Sequence, residues 1–176
     1  KCGDEAFFDL DELEGLIEHY MEHRETRRAR AALNYASKLY PGNLNLKLRQ
    51  AQILANNGQT VKAVPILKEL LALDPLNEEV HLTLGSVYSH MTEHKLAIQH
   101  YKKAMLLADQ ETRRDIRVDI ALEFENLGAW KEAIANLKEA LVEDPLNETA
   151  VYELAFCFER TGQYKHAAAF YTQYLE

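Results

Sequence analysis

Apolar residues recur three and four positions apart along most of this chain, as in Leu13, Leu16, Ile17 and Tyr20, or Leu154, Ala155 and Phe158. That spacing is the signature of amphipathic helices. The stripes fall into frames that begin at Leu10, Leu44, Glu78, Arg114 and Glu148, in steps of 34, 34, 36 and 34 residues. Each frame holds two helical stretches with a turn residue between them: Gly58, Gly128 and Gly162 in three frames, Arg24 and Thr92 in the others. Glycine there suits a helix C-cap in the left-handed region. The punctuation between frames is itself repeated, since Asp74-Pro75-Leu76-Asn77-Glu78 returns as Asp144-Pro145-Leu146-Asn147-Glu148. A fixed period of this size points to stacked supersecondary units rather than one closed globule.

Aligned by frame, certain columns are small or aromatic. The first stretch holds Ala51, Gly85, Ala121 and Ala155 in one column, with Ile17 the exception, and Tyr20, Tyr88, Phe124 and Phe158 in another, with Leu54 standing in. The second stretch holds Ala29, Ala63, Ala97, Ala133 and Ala167, then Ala36, Ala104 and Ala140, replaced by Leu70 and Tyr174. Pro41, Pro75 and Pro145 end three frames, and Asp109 stands where a fourth proline is expected. Small residues let helix backbones approach closely, and proline stops one helix before the next begins. These columns resemble the tetratricopeptide repeat, and the resemblance covers Leu10 to Glu176. It implies an all-α, right-handed α-solenoid of stacked antiparallel helix pairs: a lead-in over residues 1–9, then a single solenoid over 10–176 whose fifth repeat is incomplete.

Two departures from the family pattern stand out. Its large aromatic near the start of the first helix is replaced by Leu13, Lys47, His81, Arg117 and Val151, so this column must pack through shorter or snorkelling side chains. The third frame lacks its proline and carries two extra residues, which predicts a longer helix or loop near Asp109 and a local adjustment of register rather than a hinge. At the start, Asp9 and Glu12 form a capping-box-like pair, and Phe7 or Phe8 is placed to act as a hydrophobic staple. At the end, nothing like a polar capping helix follows Tyr171, Tyr174 and Leu175. The expectation is that further residues follow in the native chain, with self-association through this open face as the alternative.

Composition narrows the partners. A net charge of -8 argues against nucleic acid, and no apolar run is long enough to cross a bilayer. Cys2 and Cys157 make no disulfide framework, so a cytoplasmic chain is expected; a processed lipoprotein cysteine at Cys2 would instead mean a lipid-anchored or periplasmic one. Against that alternative, Lys1 sits where a lipoprotein cleavage site has a small residue.

Candidate chemistry is sparse. His19-Tyr20-Met21-Glu22-His23 spells the inverted zinc-peptidase pattern, in which two histidines hold zinc and the glutamate activates water. His19 shares its repeat column with Cys157, a packing column, and no third ligand is evident, so the structural reading is preferred over a metal-dependent hydrolase. His81, His90, His94, His100 and His166 share no helical face, and His90 and His94 flank an interhelix turn. Arg24, Arg27, Arg28 and Arg30 read as a solvated basic face. No cofactor, metal or catalytic residue is assigned.

The resemblance implies that first helices line a concave groove. Carried over by column, the groove holds Glu14, Glu18, Leu48, Arg49, Gln52, Leu82, Ser86, Val118, Asp119, Leu122, Tyr152, Glu153 and Phe156 among its thirty positions. Those thirty contain ten carboxylates and two cations, a larger acidic excess than the chain's 28 to 20. The Lys and Asn clamp that chaperone-binding relatives use for a C-terminal carboxylate is absent. The expected function is therefore a non-catalytic scaffold that binds a protein or peptide segment mixing basic and apolar residues. The alternative is the repeat portion of a larger protein whose activity lies outside this chain.

Overall fold

The structure, a computed structural model, describes residues 8–175, and the side chains of residues 8–172. The expectations placed on Cys2 and Phe7, and on the side chains of Tyr174 and Leu175, lie outside the described residues. All regular structure among the described residues is helical. The helices are α1 (Leu10–Glu22), α2 (Thr26–Leu39), α3 (Leu44–Asn56), α4 (Thr60–Leu73), α5 (Glu78–His90), α6 (His94–Leu107), α7 (Gln110–Asn126), α8 (Trp130–Glu143), α9 (Glu148–Arg160) and α10 (Tyr164–Leu175). They form two compact units, α1 to α4 and α5 to α10, divided after Pro75. Within each unit, successive helices pack as antiparallel pairs.

The five first helices start by one device. Asp9, Asn43, Asn77, Asp109 and Asn147 each accept, through the side chain, the N–H of the residue three positions on. An N-cap side chain satisfies a backbone donor that the helix itself leaves open. At Asp9 the Glu12 carboxylate returns the bond, completing the expected capping box. The asparagines of the repeated Asp-Pro-Leu-Asn-Glu are thus helix caps, while its aspartates, Asp74 and Asp144, end the preceding helices.

The five first helices also end alike. Arg24, Gly58, Thr92, Gly128 and Gly162 all adopt positive φ, between 55° and 74°. After Gly58, the Gln59 N–H reaches the Leu54 carbonyl at 2.9 Å while the Gly58 N–H bonds Ala55 at 2.9 Å, and the other four turns repeat both bonds. This is the Schellman arrangement, which consumes two orphaned carbonyls at each helix end. Arg24 and Thr92 hold the left-handed conformation with a Cβ, which is sterically disfavoured.

The junction at Asp109 differs from expectation in where the helix begins. The frame places its start at Arg114, but α7 starts at Gln110 and runs 17 residues against 13 for the other first helices. Asp109 supplies a cap in place of the proline stop, so the added residues become helix rather than loop. Arg113 Nη2 and Nε donate to the Ala108 carbonyl at 2.7 and 3.1 Å, which satisfies the end of α6.

Small columns set the packing. Ala29, Ala63, Ala97 and Ala133 are fully buried and Ala167 nearly so. Gly85 is the tightest point: a Cβ there would lie 2.5 Å from two ring carbons of buried Tyr101 in α6. The column lacking the family's aromatic packs in two ways. Leu13 and Val151 are buried, whereas Lys47 pairs with Glu69 at 2.6 Å and Arg117 pairs with Glu139 and Glu143. His81 is buried with its Nδ1 3.0 Å from that of His100, so one ring donates and the other accepts.

Thr92→Gly is expected to stabilise the chain by about 0.5–1 kcal/mol in urea unfolding, because glycine holds the left-handed conformation without a Cβ penalty. A loss of stability would show that this turn is not strained. Gly85→Ala is expected to cost about 1–3 kcal/mol by overpacking against Tyr101, less when Tyr101 is also shortened. Additive losses in the double variant would contradict the contact.

Candidate functional site

In the first unit the first-helix face is built from α1 and α3. Glu18 is exposed, and its carboxylate lies 3.5 Å from Arg49 Nη2 on the neighbouring helix. Arg49 Nη1 also donates to Gln52 Oε1 at 3.0 Å, so three of the expected groove residues meet. Glu14 is half-buried and keeps one carboxylate oxygen out of solvent without a hydrogen-bond partner among the described residues. Leu48 is buried, so it supports this face rather than presenting surface.

In the second unit the face is built from α5, α7 and α9. Leu82 and Ser86 on α5 are half-buried, as are Asp119 and Leu122 on α7, while Val118 is buried with the core. Tyr152 and Phe156 on α9 are 53% and 42% exposed, large apolar surfaces on a face that also carries the carboxylates of Asp119 and Glu153. Trp130 at the start of α8 meets Phe156 edge-on at 6.2 Å, and the Arg160 guanidinium lies over both rings at 5.4 and 6.0 Å. Neither Trp130 nor any such platform was expected from the columns, because Trp130 lies outside the first-helix positions.

The charge of this face is smaller than its composition suggests. Burial, reinforced by the charges of Asp115 and Glu123, pushes the Asp119 carboxyl up to about 6. Burial pushes Glu125 up to about 7; the Cys157 thiol, donating to its Oε1 at 3.3 Å, opposes this, while neighbouring Glu153 adds to it. Burial, with Glu125 and Glu153 nearby, holds the Cys157 thiol well above its ordinary range, so it is an unreactive donor rather than a nucleophile. The buried Glu123 is matched by His94, Nδ1 to Oε2 at 2.7 Å. These two contacts join residues 32 and 29 positions apart, beyond the reach of any local motif.

Comparison with known proteins fits this arrangement. A tetratricopeptide repeat family model matches residues 20–85 and 127–176, and a second matches residues 78–111. The chain belongs to the tetratricopeptide repeat family. Among curated proteins it is 29% identical over 130 residues to BBSome complex member bbs-4 of Caenorhabditis elegans. That alignment takes in 74% of this chain and 28% of the relative. Among solved structures, MamA residues 41 to the end from Desulfovibrio magneticus RS-1 superposes with a TM-score of 0.78 at 18% identity, covering 99% of this chain and 96% of that one. PilF of Pseudomonas aeruginosa gives 0.83 at 17% identity, over 94% of this chain and 75% of that one. These likenesses establish the fold, and tetratricopeptide repeats serve in general as protein-interaction scaffolds.

Repeat position also explains the histidine pattern in α1. His19 was expected in a packing column, as Cys157 is, but it is exposed. In the second unit that column packs back toward the preceding repeat, where Glu123 meets His94 of α6 and Cys157 meets Glu125 of α7. No helix precedes α1 among the described residues, and the His19 ring packs within its own helix, 4.2 Å from His23 and 5.7 Å from Tyr20. His23 is also exposed, with its Nδ1 2.8 Å from the His19 carbonyl oxygen. Among the described residues no three His, Cys, Asp or Glu side chains converge to hold a metal, and no helix is long and apolar enough to cross a membrane.

Because the folded pKa of Glu125 is raised from the ordinary 4.5 to about 7, the folded chain keeps this proton after the unfolded chain releases it. The associated stability is present below pH 4.5 and is lost as pH rises toward 7. Glu125→Gln is therefore expected to stabilise the protein at pH 8 by about 1–2 kcal/mol, a value reduced for partial solvent access, and to change little at pH 4. Equal effects at both pH values in thermal unfolding would contradict this assignment.

Proposed function

We propose that this protein is a non-catalytic scaffold whose first-helix faces bind a partner segment mixing cationic and apolar side chains. The observation that carries this reading is that exposed Tyr152 and Phe156 lie on α9 together with Glu153, whose carboxylate neighbours that of Glu125 on α7. The aromatic surfaces supply apolar contact area that folding leaves in water, and the carboxylates select a positively charged neighbour. Glu18, exposed on α1, adds a carboxylate in the first unit, held there in an exposed ion pair with Arg49. The relatives support protein partners in general: one is named as a complex member, and another structural neighbour is the Cut9–Hcn1 hetero-tetramer, of TM-score 0.76 and 18% identity.

A second reading treats these repeats as one portion of a longer protein. It is favoured by the curated relative, of whose length this chain spans 28%. The two readings are compatible, since the faces would bind in either setting.

A labelled peptide alternating Lys with Leu or Phe tests the first reading by fluorescence anisotropy. Glu18→Lys with Glu153→Lys is expected to weaken binding about tenfold without lowering the melting temperature, and the wild-type affinity should rise from pH 6 to pH 8 as Asp119 and Glu125 ionise. An affinity indifferent to both changes would remove the first-helix faces from consideration.

A further inference from the structure

The first repeat carries an apolar cleft of about 300 Å³, framed by Phe8, Leu13 and Tyr20 on one side and by Arg28, Ala32 and Tyr35 of α2 on the other. Its origin can be read by column. The second-helix position of Ala32 is held in later repeats by Ile66, His100, Asn136 and Phe170. In the third repeat the His100 ring lies 5.2 Å from His81 and 5.4 Å from Tyr88, and in the fifth Phe170 lies 5.8 Å from Phe158. His81 and Tyr88 correspond to Leu13 and Tyr20. The larger side chains thus occupy, between the helices of a pair, the space that Ala32 leaves open. Phe8 covers it only in part, being 41% exposed, and Tyr35 and Leu39 continue the stripe along α2 at 46% and 47% exposure.

The rim of this cleft is cationic. Helix α2 carries Arg27, Arg28, Arg30 and Lys38 and no carboxylate, in a chain of net charge -8. Arg28 lies 5.8 Å over the Tyr20 ring and pairs with Glu25 at 2.5 Å, an exposed contact that an incoming carboxylate can replace at little cost. Helical spacing sets Arg27 and Lys38 together along one flank of the stripe, where both are exposed. Neither has an ion-pair partner among the described residues.

We propose that this outer cleft docks an acidic segment of a partner protein, with one Phe or Leu side chain seated over Ala32 and carboxylates facing Arg27, Arg28 and Lys38. The charge of the rim selects the occupant: a cationic segment suited to the first-helix faces is repelled here, and an acidic one is attracted. The large apolar side chain supplies the contact that the later repeats make internally, and the carboxylates set orientation. This surface is independent of the first-helix reading and stands or falls separately.

The test uses a fluorescein-labelled twelve-residue peptide of Asp and Glu around a single Phe, titrated with the full chain. Ala32→Phe, which installs the side chain that the fifth repeat carries, is expected to weaken binding at least tenfold, as is Phe→Ala in the peptide. Arg27→Glu with Lys38→Glu, both on exposed positions, is expected to do the same and decides the matter if Ala32→Phe fails to fold. Glu153→Lys should leave this affinity unchanged. Equal binding of the charge-reversed protein, or of a peptide with Lys in place of Asp and Glu, overturns the proposal. So does self-association that Ala32→Phe abolishes, which would make a second copy the occupant, or a tenfold gain on deleting residues 1–7, which would make the lead-in the occupant.

Discussion

Close approach of helix backbones is the constraint on which the rest of this structure depends. A helix pair can bring its two axes together only where one side chain is small, and here those places are Ala29, Ala63, Ala97 and Ala133 on second helices and Ala51, Gly85, Ala121 and Ala155 on first helices. At Gly85 the requirement is tightest, because the Tyr101 ring occupies the space of a Cβ. Once the pairs are drawn together, their turns are also constrained, and all five use a left-handed residue followed by the same two backbone bonds, even where that residue is Arg24 or Thr92. Regular pairs in turn fix which columns face outward, and so which side chains are available for binding.

Much of this was legible in the sequence because backbone demands are local. The glycines at positions 58, 128 and 162 marked the turns, and Arg24 and Thr92 were found by column alone. The start of α7 was misplaced by four residues because the frame was aligned on its Asn-Glu, Ala and Pro landmarks, while the helix obeyed Asp109, an N-cap whose carboxyl its bond from Thr112 holds below the usual range. Side-chain pairings were less legible. The column without its aromatic was expected to snorkel, and Lys47 and Arg117 do, but nothing local specified Glu69 or Glu139 as partners, 22 positions on. His81 with His100, His94 with Glu123 and Glu125 with Cys157 are likewise products of packing. His19 was misjudged because its column packs back on a preceding helix pair in the second unit, whereas among the described residues none precedes α1.

The surface divides by chemistry rather than by position along the chain. Helix α9 carries a carboxylate beside exposed aromatic rings, while α2 carries cations beside an apolar cleft. Two carboxyls of the acidic face, Asp119 and Glu125, titrate near neutrality because burial opposes their ionisation, so the face changes charge over the range in which proteins work. On the two proposals made above, faces of opposite sign would discriminate between partner segments by charge before any close contact forms.

The most direct measurement is residue-resolved: amide chemical shifts of the isotope-labelled chain, followed as an unlabelled Lys- and Leu-containing peptide is added. The account predicts saturable shifts at Glu18, Arg49, Tyr152, Glu153 and Phe156 on the first helices, with α2 and α6 unmoved. Shifts confined to second helices, or none at peptide concentrations that saturate binding, would contradict it.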